Sequence, residues 1–225
     1  MIKLIDVCKT YGSKESKVEA LKNINLCLEE GKFIVIVGKS GSGKTTLMNM
    51  IGALDQPTSG CFFYNEKEVT SLKPNELALY RNKTIGFVFQ NFYLEPTYTV
   101  LENVCMPLTI AGEDKKIREG KGIEILKKLG LESKIKKKAN ELSGGEKQRV
   151  SIARALISNP SIILADEPTG NLDSENGREI MRILKTIVTT GKTVILVTHN
   201  MDDAKNADII ITIKDGRIIS KEEIS

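Results

Sequence analysis

Apolar and polar positions follow two different rhythms along this chain. Four short runs are almost wholly apolar and rich in β-branched residues: Phe33–Val37, Ile162–Ala165, Thr193–Val197 and Ile209–Ile213. Each is bounded by turn or polar residues. A strand covered on both faces reads this way, so the runs predict buried parallel strands. Between the second and third runs, Ile180, Ile183, Leu184, Ile187 and Val188 recur at the spacing of one helix face. Asp173 or Ser174 suits the N-cap of that helix, and Gly191 suits its stop. Strand, helix and strand in succession predict an α/β core with a parallel sheet.

Two stretches depart from that rhythm. The N-terminal segment ahead of Phe33, together with Cys61–Tyr64, reads as short strands with turns, an antiparallel β subdomain at the sheet edge. From about residue 91 to residue 158 no strong strand is visible. There Ile123, Leu126 and Leu129 suggest one helix, and Val150, Ala153 and Ile157 another. The expected organisation is a single domain over 1–225. Its α/β core and β subdomain occupy 1–90 and 159–225, and a helical lobe, 91–158, is inserted between them. No internal repeat or low-complexity linker interrupts it.

Composition narrows the setting without changing this picture. The chain has 225 residues, 40% hydrophobic and 28% charged, enough apolar material for a real core. A net charge of +4 is too mild to demand nucleic acid or an anionic membrane. Lys134, Lys136, Lys137 and Lys138 read as a solvated helix end or loop. Cys8, Cys27, Cys61 and Cys105 form no C-x-x-C pair, which suits a reducing cytoplasm better than a disulfide framework or a zinc site. Residues 1–6 resemble no signal peptide, and no window approaches the ~20 apolar residues of a membrane span. A membrane role would therefore need another chain to supply the span.

Chemistry enters at Gly38-Lys39-Ser40-Gly41-Ser42-Gly43-Lys44-Thr45, a full G-x-x-x-x-G-K-[ST] match between a predicted strand and a predicted helix. Glycines let the backbone curl so that several N–H groups face one anion, and the following helix adds the positive end of its dipole. Lys44 should reach the β- and γ-phosphates of a nucleotide, and the Thr45 hydroxyl should ligate Mg²⁺.

Two further constellations fit that loop. The strand Ile162–Ala165 runs into Asp166-Glu167, and adjacent acids belong at a strand exit, where open α/β sheets bind ligands. Asp166 is placed to hold the Mg²⁺ shell. Glu167 could orient, or take a proton from, the water that attacks a γ-phosphate. Leu142-Ser143-Gly144-Gly145-Glu146 opens a helix, with Ser143 and Glu146 at capping-box spacing. Capping does not explain Gly144-Gly145, poor helix formers that suggest a close approach to the backbone, for example by a phosphate.

Together these residues resemble the nucleotide-binding domain of ABC ATPases over essentially the whole chain. The resemblance implies a P-loop fold, ATP hydrolysis and a further set of site residues. Tyr11 resembles the aromatic that stacks on adenine, and Gly38–Thr46 the phosphate loop. Gln90, closing Ile85–Gln90, resembles the Mg²⁺-sensing glutamine coupled to the helical lobe. Leu142–Glu146 resembles the signature that completes the ATP site of an opposing subunit through Ser143, Gly144, Gly145 and Glu146. Asp173, in Asn171-Leu172-Asp173, resembles the loop that crosses the dimer interface, and His199 the switch histidine at the γ-phosphate. Lys44, Gln90, Glu167 and His199 are then the catalytic set. Lys39, Thr45 and Asn171 replace the commoner proline, serine and alanine, and none of them removes a required group.

The segments 165–173 and 85–96 are most similar to one branch of that family. It holds lipoprotein-releasing, macrolide-exporting and bacitracin-resistance ATPases, and the partner of a cell-division permease. The implied partners are a transmembrane permease, the only route to the membrane, and a second copy of the chain, joined on ATP binding. The implied location is the inner face of the cell membrane. A regulatory ATPase acting through a permease on a cell-wall enzyme stays open. A soluble ABC ATPase working on ribosomes or DNA fits less well, given one phosphate loop, no long heptad run and the mild charge.

Overall fold

The computed structural model describes residues 1–13, 16–205 and 207–224. In chain order the strands and helices are β1 (Ile2–Tyr11), β2 (Val18–Leu28), β3 (Phe33–Val37), α1 (Lys44–Ile51), β4 (Ser59–Tyr64), β5 (Lys67–Glu68) and α2 (Pro74–Thr84). There follow β6 (Ile85–Phe89), α3 (Val100–Ile110), α4 (Lys115–Lys128), α5 (Gly144–Leu156), β7 (Ile162–Asp166) and α6 (Ser174–Val188). The chain ends with β8 (Thr193–Thr198), α7 (Met201–Ala204), β9 (Ile209–Lys214) and β10 (Arg217–Glu223). No helix of the described residues is long and apolar enough to cross a membrane.

The chain divides into two compact units, Met1–Arg81 with Ile187–Ser225, and Asn82–Thr186. The first carries an antiparallel sheet in the order β2-β1-β4-β5. It also carries the strands β10-β9-β3-β8, in which β3 runs parallel to both β8 and β9. All five residues of β3 and all six of β8 are buried, as their unbroken apolar runs require. The β1 and β2 strands are longer than the sequence suggests, at 10 and 11 residues, and register shifts interrupt their pairing. The hairpin β9–β10 was not expected. It turns through Asp215-Gly216, both at positive φ, the two-residue connection that matches strand twist.

The second unit contains the parallel pair β6–β7 and the helices α3, α4 and α5. Residues 91–158 lie within it. Val100, Val104, Leu108, Leu126, Leu131, Val150, Ala153 and Ile157 form its apolar centre. Both expected helices are present as α4 and α5. The unexpected α3 starts on a capping box, with the Thr99 hydroxyl accepting from Glu102 N–H and the Glu102 carboxylate accepting from Thr99 N–H.

Two polar ties hold this unit. Asn103, fully buried on α3, accepts from Glu95 N–H at 2.7 Å and donates to the carbonyls of Glu95 and Thr99, each at 3.0 Å. The loop 95–99 is thus satisfied from beneath by one carboxamide. The lysine cluster is not uniformly solvated. Lys134 is half-buried and pairs at 2.7 Å with Glu146, in the first turn of α5. The Lys134 ammonium, together with Ser143 N–H, holds the Glu146 carboxyl below the usual carboxylate range.

Asn103→Leu should leave Glu95 N–H and its carbonyl partners without that carboxamide. We expect it to lower stability by about 1–3 kcal/mol. In a urea titration the midpoint should fall with little change in slope, and an unmoved midpoint would contradict the role given to Asn103. The Lys134–Glu146 tie should show a pH signature. Because the folded-state pKa of Glu146 is depressed, its contribution is complete above the ordinary glutamate value of ~4.3 and is lost as pH falls through the folded value. Wild type should therefore exceed Lys134→Met by under about 1 kcal/mol at pH 7, with the gap closing below pH ~4. A gap that does not begin to narrow as pH falls below the ordinary glutamate value would rule the ion pair out as its source.

Candidate functional site

In the first unit, β3 leaves the sheet at Gly38 and the chain wraps into α1. The wrap is tight. A Cβ on Gly38 would lie 2.3 Å from the Ile213 carbonyl oxygen, and one on Gly43 would lie 2.5 Å from that of Ala20. Gly43 is the N-cap of α1 at φ 106°, and no side chain caps that end. The first turn of α1 therefore brings the positive end of the helix dipole to the loop. From below, Gly216 N–H donates to the Ser42 carbonyl at 2.9 Å, which ties the loop to the β9–β10 turn.

Two side chains of this loop point to an anion. Lys44 is buried, and its ammonium donates to the carbonyls of Gly38 at 2.7 Å and Lys39 at 3.0 Å, so it is held across the loop. Ser42 Oγ is buried without a hydrogen-bond partner. A cradle that rejects Cβ atoms, a held ammonium, an unpartnered hydroxyl and a helix N-terminus all fit a phosphate chain. Lys39, Ser40, Gly41 and Thr45 are exposed, and Thr46 is half-buried.

Tyr11 ends β1 with its ring partly exposed. Its hydroxyl donates to Asp55 at 2.8 Å, and Lys9 Nζ lies 4.9 Å from the ring centre while pairing with the same carboxylate at 2.6 Å. Burial, together with the hydrogen bond to Asp55, pushes the Tyr11 phenol above its ordinary value, and Thr46 pulls the other way. Tyr11 is thereby placed beside the first turn of α1. His199 follows β8, whose Thr198 stands opposite Val37 in the register, so His199 and Gly38 leave neighbouring strand ends. Thr198 Oγ1 donates to Asp203 at 2.9 Å and accepts from Asn200 N–H, which fixes the turn beyond His199.

The second unit gathers the other expected residues. In the parallel pair, Phe89 stands opposite Asp166, so Gln90 and Glu167 leave the two strands side by side. Glu167 has φ 45°, a left-handed backbone that non-glycine residues rarely adopt, of the kind found where geometry is functionally fixed. Gln148, buried on α5, donates to the carbonyls of Pro168 at 2.8 Å and Phe89 at 3.3 Å, bracing both strand exits. The oxygens of Asp166 and Gln90 are donors of the hard type that Mg²⁺ prefers.

Ser143 caps α5 through the expected capping box. The adjacent glycines differ. Gly145 is buried beneath Asn176 of α6, whose Oδ1 would lie 2.1 Å from a Cβ there. Its lack of a side chain therefore has a reason inside the chain. Gly144 is exposed, and a Cβ there would meet Leu172 only at an ordinary 3.4 Å. Asp173 caps α6, accepting from the N–H groups of Glu175 and Asn176, and its Oδ2 accepts from Asn176 Nδ2 at 2.6 Å. Sequence reasoning missed Lys9, Asp55, Gln148 and Asn176. Their roles arise from contacts 3 to 59 residues away along the chain, and only the Asp173–Asn176 spacing carried a local signal.

Comparison with known proteins completes the picture. The family model described as ABC transporter matches residues 21–170. An ABC transporter ATP-binding protein of Methanocaldococcus jannaschii, MJ1508, is 47% identical over 219 residues, 97% of this chain and 98% of that protein. The macrolide export ATP-binding/permease protein MacB of a Shewanella species is 45% identical over 214 residues, 95% of this chain but 33% of its own length. The chain thus spans about one third of such export relatives. Among solved structures, the dimeric ABC transporter cassette MJ0796 superposes with a TM-score of 0.91 at 46% identity, covering 100% of this chain and 99% of that one. A post-hydrolysis dimer of that cassette bound to ADP and Pi gives 0.91 at 45% identity, with the same coverage. On this family match and these relatives, the chain belongs to the ABC transporter family as an ATP-binding, ATP-hydrolysing cassette.

Proposed function

We propose that residues 1–225 act as one ATP-driven clamp that works a separate membrane permease from the cytoplasmic face. The observation that carries this reading is the phosphate cradle, with Lys44 held across Gly38 and Lys39 beside the buried, unpartnered Ser42 hydroxyl. In it, Gly38–Thr46 and Lys44 bind the ATP phosphates and Tyr11 stacks on the base. Thr45, Asp166 and Gln90 would hold Mg²⁺, which supplies charge neutralisation for the phosphates. Glu167 orients the attacking water or accepts its proton, and His199 contacts the γ-phosphate. Ser143, Gly144, Gly145, Glu146 and Asp173 serve the nucleotide of a second copy. The exposed Gly144 supports that assignment, and so does the dimeric form of the MJ0796 cassette.

For the transported class, the names of relatives are the guide. They include macrolide export proteins and a pyoverdine export protein of Pseudomonas entomophila, 46% identical over 226 residues. An export or mechanotransmission permease fits best, and the ATP-bound closing of two copies is the stroke delivered to it.

Glu167→Gln keeps size and hydrogen bonding while removing the carboxylate. We expect ATP to bind and turnover to fall by about 10²–10⁴-fold. By sedimentation the variant should be monomeric alone and with ADP, and dimeric with ATP, because a ligand that bridges two copies drives association by mass action. Adding Ser143→Arg should abolish the dimer while leaving ATP binding intact. A dimer indifferent to nucleotide or to Ser143→Arg would refute the clamp. The permease half is tested separately: the tagged chain, extracted from membranes in mild detergent, should carry a permease with it. Recovery with ribosomes instead would overturn that half.

A further inference from the structure

We propose that Asn171 is the positioning residue for the Gln90 carboxamide, turning its Oε1 outward as a cation ligand and its Nε2 inward. The inference rests on the reading of Gln90 as a Mg²⁺ ligand and adds what makes that side chain competent. A carboxamide carries an oxygen on one side and an NH₂ on the other, at nearly equal size. A glutamine meant to ligate Mg²⁺ must present the oxygen, and something must discriminate between the two orientations.

Hydrogen-bond logic supplies the discrimination in three steps. The main-chain carbonyl of Gln90 can only accept, so the group of Asn171 that meets it at 3.1 Å must be Nδ2. The same Nδ2 also donates to Asn91 Oδ1 at 3.1 Å. Asn171 Oδ1 is thereby turned toward the Gln90 side chain, where it accepts from Nε2 at 3.3 Å. The fixed polarity of a backbone carbonyl is thus passed through one asparagine to the glutamine, whose remaining pole is its oxygen. The side chain is also supported sterically: a Cβ on Gly170, the residue before Asn171, would lie 2.7 Å from Gln90 Nε2. Alanine at 171 would keep the loop but lose this transmission of polarity. Groups that orient a metal ligand from outside typically matter about 10–100-fold for metal affinity.

The test separates metal coupling from nucleotide binding. A fluorescent, non-hydrolysable ATP analogue is titrated onto the full chain in excess Mg²⁺ and in chelator, and the ratio of the two Kd values is recorded. Wild type, Asn171→Ala, Gln90→Ala and the double variant are compared, each first checked for an unchanged thermal midpoint. We expect both single variants to shrink the ratio by about tenfold with the chelator Kd unchanged, and the double variant to match Gln90→Ala. Gln90→Ala with a normal ratio would remove the ligand reading and this proposal with it. A shrunken ratio in Gln90→Ala but not in Asn171→Ala would overturn the proposal and leave Gln90 as a ligand. So would a further loss in the double variant, or a change in the chelator Kd of Asn171→Ala, because either places the effect of Asn171 elsewhere.

Discussion

The backbone of residues 38–43 is wedged against its neighbours, and the rest of the first unit is arranged around that wedge. At Gly38 the Ile213 carbonyl stands where a Cβ would be, and at Gly43 the Ala20 carbonyl does. Separations of only 2.3 and 2.5 Å could not be relieved by a rotamer change, since both obstacles are backbone. Close packing of this kind transmits position: β2 and β9 meet the loop directly, and the Asp215-Gly216 turn bonds it from below. The neighbouring backbone thus fixes the path of the loop. Pre-formed N–H groups cost little to reorganise when an anion binds.

What could be read from the sequence follows the range of the interactions involved. The strands β3, β7 and β8 were legible because burial on both faces leaves an apolar run, β9 because isoleucine fills four of its six positions, and α6 because its apolar residues recur on one face from Ile180 to Val188. The motifs were legible because phosphate chemistry fixes residue types at short spacing. The strand β6 was seen only as part of a motif, since Gly86 and two phenylalanines mask its pattern. The helix α3 was hidden by Pro107 in its last turn, although Thr99 and Glu102 carried a capping-box signal. The β9–β10 hairpin was missed despite an Asp-Gly pair between apolar runs. The tie between Tyr11 and Asp55 spans 44 residues and could not be read locally at all. Gly145 carries a second constraint that the sequence did not show: Asn176 leaves no room there for a Cβ.

The second unit handles its functional backbone in a consistent way. At four places where the chain leaves or enters a regular element, a carboxamide meets it. Asn103 holds the loop 95–99, Gln148 braces the exits of β6 and β7, Asn171 engages Gln90, and Asn176 joins Asp173 to the start of α5. A carboxamide donates and accepts at once, so it can satisfy a bent backbone with a single side chain. It also avoids the larger cost of burying an unpaired charge, which matters for Gln148 and Asn103, both fully buried.

Neutrality has a second consequence, for the catalytic cycle. Two unit charges about 4 Å apart near a protein surface interact by roughly 4 kcal/mol. Charged struts beside Asp166 and Glu167 would therefore shift with every gain or loss of phosphate and metal, and their own protonation would follow. Amide dipoles couple far more weakly to such changes. The first unit uses the contrary solution at Tyr11, where the Lys9–Asp55 ion pair sets the ring. That charge pair is internally compensated. Charge also holds geometry in the second unit, where Lys134 pairs with Glu146 and the Arg154 guanidinium donates to the Phe92 carbonyl at 2.7 Å.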